Sequence, residues 1–257
     1  MVSPGQATPP FLRMAAHPLR WRLLTALAGS DHRVRELTEQ LGQPQNLVSY
    51  HLRLLRDSGL VTARRSSFDA RDSYYHLDLD RCADALSSTG TALHPALSIA
   101  WPAPPAMPAR TPDRPRVLFA CTGNSARSPI AEALLQHHSG PGNAEVISAG
   151  SHPRPRIHPG AVRVLREEFG IDIAGRRPRH LGTVADRRFD YVITLCDKVR
   201  EVCPPFDGDP RLAHWSIPDP AGSTGHDDDA AFSRIATQIQ TRVRHLLPVL
   251  AHRTPGG

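Results

Sequence analysis

Apolar residues recur with two different periods along this chain, and the change of period marks its organisation. From Pro18, Leu19, Leu23, Leu24 and Leu27 fall at helical spacing and stop at Gly29. Val34, Leu37 and Leu41 predict a second helix over residues 33–41. Gly42-Gln-Pro44 then turns the chain, and Pro44 suits the opening of a third helix running to about residue 58. In that helix Val48, Leu52 and Leu55 share one side, while Gln45, Asn46, Ser49, Tyr50 and Arg53 share the other. After Gly59 the pattern changes to two strands, residues 60–65 and 73–79, joined by a polar loop that carries Arg71. A last helix is expected to start at Cys82.

Residues 1–16 lack a sustained period and are expected to be disordered. Residues 87–115 hold seven prolines among Ala, Ser and Thr, which predicts a semi-stiff tether. From Arg116 strands and helices alternate. Strands are expected at 116–120, 144–148 and 191–195, and helices to about His138, over 159–169 and over 230–247. Alternation of this kind argues an α/β domain with a central parallel sheet and ligands at the carboxyl ends of its strands. The chain therefore divides into an N-terminal α+β helix-turn-helix domain over 17–86, the tether, and an α/β domain over 116–257.

Composition adds limits. The formal charge of +6 is spread along the 257 residues, so it says little by itself about nucleic acid. No apolar run approaches the roughly 18 residues of a membrane span, and no signal-peptide pattern opens the chain, which predicts a cytoplasmic protein without membrane contact. Four cysteines, Cys82, Cys121, Cys196 and Cys203, are too few for a secreted disulfide scaffold and point instead to chemistry. The histidines show no metal-ligand spacing with them.

The chemistry centres on Cys121-Thr122-Gly123-Asn124-Ser125-Ala126-Arg127-Ser128, between the strand at 116–120 and a helix opened by Pro129. A loop entering a helix N-terminus presents converging N–H groups and a partial positive charge, which together cradle an anion. Cys121 at the base of that cradle is expected to have its pKa drawn well below about 8.5, making it a nucleophile. The Arg127 fork can grip two oxygens of a tetrahedral oxyanion. Cys196 ends the strand at 191–195, at the same expected sheet edge, and Cys203 follows with six residues between. Asp219, held by Pro220, adds a carboxylate.

Two family resemblances follow from these residues. The helix, turn, helix and hairpin order, with the string from Val48 to Val61, resembles a winged helix-turn-helix of the arsenic-repressor type. That implies an operator in double-stranded DNA, contacts from Gln45, Asn46, Ser49, Tyr50, Arg53 and Arg71, and a homodimer formed through this domain. The Cys-x-Cys of family members that sense metalloid in their second helix is missing; that stretch here runs from Arg35 to Gln40. The cradle, Ser148-Ala-Gly150, Gly170-Ile-Asp172 and the Cys196/Cys203 pair resemble the thioredoxin-coupled arsenate reductases, which share the fold of the low-molecular-weight tyrosine phosphatases. The resemblance implies Cys121 as nucleophile, Arg127 and the loop Thr122–Ser128 as oxyanion site, and Asp219 as general acid. It further implies Cys196 and Cys203 as the later members of a three-cysteine relay reduced by thioredoxin. In some relatives a potassium ion steadies the loop through residues matching Asn124, Glu132, Ser148 and Asp172; no other cofactor is expected. A phosphatase remains the alternative, since the cradle and the Asp-Pro pair serve both reactions. Ala221-Gly222 after that pair lacks the aromatics with which tyrosine phosphatases sandwich a phenol ring. A further alternative is an enzyme domain that has lost catalysis and serves as an oxyanion or redox sensor.

Overall fold

The computed structural model describes residues 8–97, 114–221 and 229–251. The expectations for residues 1–7, for most of the tether (98–113) and for the ends beyond 251 lie outside the described residues. Contacts divide the chain into two compact units, Met1–Ala103 and Pro104–Gly257.

The first unit orders α1 (Pro10–Ala15), α2 (Pro18–Gly29), β1 (His32–Arg33), α3 (Val34–Leu41), α4 (Gln45–Asp57), β2 (Val61–Arg65), β3 (Ser73–Leu77) and α5 (Leu79–Leu93). The leucine stripes meet as expected, with Leu23, Leu37, Val48, Leu52 and Leu55 fully buried in one cluster. A capping box between Arg33 and Glu36 starts α3, and Gly42 ends it at φ +60°, a left-handed position that favours glycine. The wing is the antiparallel pair β2 and β3, registered from Val61 on Leu77 to Arg65 on Ser73, with two-residue β1 on the other side of β3. This is a winged helix-turn-helix.

Two expectations are corrected here. Residues 10–15 of the segment expected to be disordered form α1, opened by Pro10 at its first position. Residues 87–93, expected to begin the tether, complete α5, which starts at Leu79 on an Asp78 cap rather than at Cys82. Their hydroxyls hide the helical period. Thr89 Oγ1 donates to Ala85 O and Thr91 Oγ1 to Ser87 O, so the polar side chains bond back along the helix.

The second unit orders β4 (Arg116–Cys121), α6 (Arg127–Ser139), β5 (Glu145–Gly150), α7 (Pro159–Phe169), β6 (Tyr191–Thr194), α8 (Asp197–Val202), β7 (Arg211–His214) and α9 (Asp229–Ala251). The four strands form a parallel sheet in the order β5-β4-β6-β7. Central β4 is buried from Val117 to Cys121, which explains its unbroken apolar run. Register aligns Cys121 with Gly150, and Ala120 with Thr194 and through it His214, so four strands end at one edge. Strand β7 and helix α8 escaped the sequence reading. Strand β7 is a four-residue edge whose Leu212 is exposed, and α8 is too short to show a period. Among the described residues, no helix is long and apolar enough to cross a membrane.

Candidate active site

The loop after β4 acquires its cradle shape from a neighbouring strap. N–H groups of Ser151, His152, Arg154 and His158 donate to the carbonyls of Cys121, Thr122, Gly123 and Ser125. In a trans peptide the N–H points opposite to the C=O, so fixing these carbonyls outward turns the following N–H groups inward, toward a common point before α6. The strap had no signal in the sequence beyond Ser148-Ala-Gly150, because its role is carried by backbone atoms.

Side chains then fix the polarity of the loop. Asn124 is buried at φ +43°, a left-handed position that asparagine tolerates. Its Oδ1 accepts from the Arg179 N–H at 2.7 Å, which orients the amide. Its Nδ2 therefore donates to Ser128 Oγ and Ser148 Oγ, each at 2.9 Å. Ser148 in turn donates to Glu132 Oε2 at 2.5 Å. Because Ser128 Oγ already accepts from Asn124, its own proton is free for Cys121 Sγ, 2.9 Å away. The network thus presents the sulfur with a donor.

Cys121 is 2% exposed, and here the electrostatic expectation is corrected. Burial pushes its thiol up, against the opposing pull of the Arg127 charge and the Ser128 hydroxyl, with Cys196 adding a further upward push. Desolvation of the charged form outweighs the guanidinium, an effect that loop position in sequence does not reveal.

Arg127, the first residue of α6, is itself buried. Its Nη1 donates to Ile217 O at 3.1 Å and its Nη2 to Asp219 Oδ2 at 3.0 Å. The Asp-Pro segment is thereby brought to the cradle, with the Asp219 carboxylate more than half exposed beside the guanidinium. Cys196 lies at the N-cap of α8, 2% exposed, and its Sγ is 3.2 Å from Thr122 Oγ1. Cys203 caps the other end of α8, half-buried, and burial pushes its thiol up to about 11.

A polar cluster that the sequence did not disclose holds the Cys196 end of α8. Asp197 is fully buried and accepts from Ser216 Oγ at 2.7 Å, with His214 Nε2 at 3.0 Å. His214 Nδ1 sits 2.8 Å from Thr194 Oγ1. Cys196 is therefore flanked on both sides by residues tied to His214. Among the residues expected to hold potassium, Asn124, Ser148 and Glu132 join the network above. The exposed carboxylate of Asp172 instead accepts from Arg166 and the Ala174 N–H.

In the first unit, Gln45, Asn46, Tyr50 and Arg53 are exposed along α4, and Ser49 is half-buried among them. Arg53 lies over the Tyr50 ring. Arg71, at the wing, is fully accessible, and its fork is held by Asp69. Cys82 is half-buried against the leucine core, which raises its thiol to about 11.

Comparison with known proteins agrees with both units. The model of the low molecular weight phosphotyrosine protein phosphatase family matches residues 116–254, and that of the bacterial regulatory protein arsR family matches residues 17–63. An arsenate reductase of Halalkalibacterium halodurans is 33% identical over 130 residues, covering 50% of this chain and 91% of that protein. An arsenate reductase of Bacillus subtilis is 32% identical over 130 residues, covering 50% and 91%. A solved arsenate reductase from Archaeoglobus fulgidus is 31% identical, covering 51% of this chain and 98% of its own, with a TM-score of 0.43. With its cradle, Arg127 and Asp219 inside a family match that spans more than half of the sequence, the chain belongs to the low molecular weight phosphotyrosine protein phosphatase family, with an arsR-family helix-turn-helix at its N-terminal end.

Proposed function

We propose that the α/β domain reduces arsenate to arsenite through Cys121, Cys196 and Cys203, and that the winged domain binds an operator as a dimer in the cytoplasm. The observation that carries this reading is the position of Cys196, its sulfur on the hydroxyl of the first cradle residue, where a phosphatase has no use for a second thiol. Arsenate is a tetrahedral oxyanion that suits inward N–H groups and the Arg127 fork. Cys121 attacks arsenic as the thiolate, the form toward which the Arg127 charge and the Ser128 hydroxyl pull against burial, and a hydroxyl departs as water, protonated by Asp219, to leave a sulfur–arsenic(V) bond. The Cys196 thiolate then attacks Cys121 Sγ. The sulfur–arsenic electron pair stays on arsenic, which leaves as arsenite, and a Cys121–Cys196 disulfide remains. Cys203 attacks Cys196 and releases the Cys121 thiolate. A dithiol protein such as thioredoxin supplies the two electrons that reopen the Cys196–Cys203 disulfide. Across a helix of this length the two Cα atoms are separated by about 10 Å, and a disulfide needs about 4.4–6.8 Å, so α8 unwinds in the third step.

The test is NADPH consumption by the full chain with arsenate, thioredoxin and thioredoxin reductase, run beside hydrolysis of an aryl phosphate. Steady consumption that needs both arsenate and thioredoxin, and that stops after one turnover when Cys203 is replaced by Ser, supports the relay. Phosphate release without NADPH consumption assigns the domain as a phosphatase. Footprinting upstream of its own gene tests the winged domain; protection without two-fold symmetry would refute dimeric binding.

A further inference from the structure

The chain places two arginines where a resident cation would serve, and the oxygens that would bind one already have other partners. Glu132 is 4% exposed beneath the cradle, and a carboxylate so buried needs an opposite charge. Its Oε2 accepts from Ser148. Its Oε1 lies 3.4 Å from Arg176 Nη1 and 3.6 Å from Arg179 Nη1, and also accepts weakly from Gln136 Nε2. Asn124 Oδ1 is taken by the Arg179 N–H, and Ser148 Oγ by the Asn124 amide. Asp172, the fourth oxygen donor, is 61% exposed at its side chain and paired with Arg166. Each of these oxygens keeps a further lone pair, but a hard cation at Glu132 Oε1 would face both guanidinium groups, so this donor set does not fit potassium while Arg176 and Arg179 are in place.

We propose that Arg176 and Arg179 act as a built-in counter-charge for Glu132 and so position the cradle in place of a metal ion. The route to the sulfur is continuous: Glu132 fixes Ser148 as its donor, Ser148 fixes the Asn124 amide, and Asn124 leaves the Ser128 proton facing Cys121. The same loop reinforces the arrangement through its backbone. The Arg179 N–H holds Asn124 Oδ1, and Arg179 O accepts from the Gly150 N–H at 2.8 Å. Arg176 Nη2 is anchored on Gln136 Oε1 at 2.7 Å, one turn from Glu132 on α6. Both arginines are positioning residues, since neither is in contact with Cys121 through any of these bonds. The inference rests on cradle geometry alone and stands whichever oxyanion Cys121 attacks.

Its test therefore reads the cradle and not arsenate reduction. The rate at which iodoacetate carboxymethylates Cys121, followed by peptide mass, and the affinity for inorganic phosphate are measured in potassium, sodium and choline chloride at a matched ionic strength of about 0.1 M. The wild-type chain should give the same values in all three salts. The Arg176→Ala/Arg179→Ala variant should lose about tenfold or more in Cys121 reactivity in choline, as a displaced loop would, and recover much of it in potassium. The Arg176→Lys/Arg179→Lys variant keeps both charges and should stay indifferent to the cation. A potassium-specific gain in the wild-type chain would overturn the proposal without any variant. So would a double alanine variant that is folded and equally reactive in every salt, or a loss that potassium does not reverse.

Discussion

Gly150 ends β5 directly beneath the cradle, and replacing it by Ala offers a calculable disturbance. The residue is in extended strand, so alanine suits its dihedrals and the effect is steric. An added Cβ would lie 2.6 Å from Thr122 O, 2.9 Å from Asn124 N and 3.0 Å from Asn124 Cβ. Unstrained carbon–oxygen contacts are about 3.3 Å, so the loop must rise by roughly 0.7 Å. Thr122 O and Asn124 N are backbone atoms and Asn124 Cβ does not move with the rotamer, so no side chain can rotate away. Overpacking of this kind costs about 1–3 kcal/mol, or about 3–9 °C in the melting of the α/β domain. Displacement of a cradle by nearly 1 Å costs far more in catalysis, on the order of 10²-fold in kcat/KM for arsenate. Gly175→Ala is the control, because a Cβ there meets nothing within 4 Å. Melting is followed by calorimetry and kcat/KM by arsenate-dependent NADPH oxidation. A Gly150→Ala enzyme within about threefold of wild type would refute the view that loop placement sets the activity.

The fold was legible where local pattern and burial coincide. The leucines of α2, α3 and α4 face one core, and the run from Val117 to Cys121 is a central strand because both of its faces are covered. Cys121 and Arg127 could be placed together because a short loop between strand and helix keeps its residues in sequence order, whereas the role of Asp219 came only with the family resemblance, and the structure adds its contact with Arg127. Boundaries failed where polar side chains serve the backbone, as with the threonines that complete α5. The direction of the shift at Cys121 was misjudged because desolvation depends on what packs over the loop. Asp197 and His214 gave no hint of meeting, since they lie 17 positions apart and only the β6–β7 pairing brings them together. The arginines at 176 and 179 carry no periodic pattern, and only the fold brings Glu132 beneath them.

Two further predictions concern α8, whose ends differ in kind. Replacing His214 by Ala leaves the fully buried Asp197 with Ser216 but without its imidazole, which should destabilise the α/β domain by about 3 kcal/mol in thermal melting. A loss below about 1 kcal/mol would mean that the pair does not clamp the Cys196 end. Cys203 has no comparable anchor among the described residues, and its thiol, at about 11 in the folded position, would be ionised only about one part in ten thousand at pH 7. Attack from that position would make turnover rise about tenfold per pH unit through pH 10, because the thiolate is the nucleophile. The separation across α8 forbids such an attack. The segment must unwind first, and unwinding removes the burial that raises the thiol, so turnover limited by this step should level off near an ordinary cysteine value of about 8.5. A logarithmic rise that continues past pH 10 would show Cys203 reacting while still buried, and the clamped and loose ends of α8 would then have no part in the order of the relay.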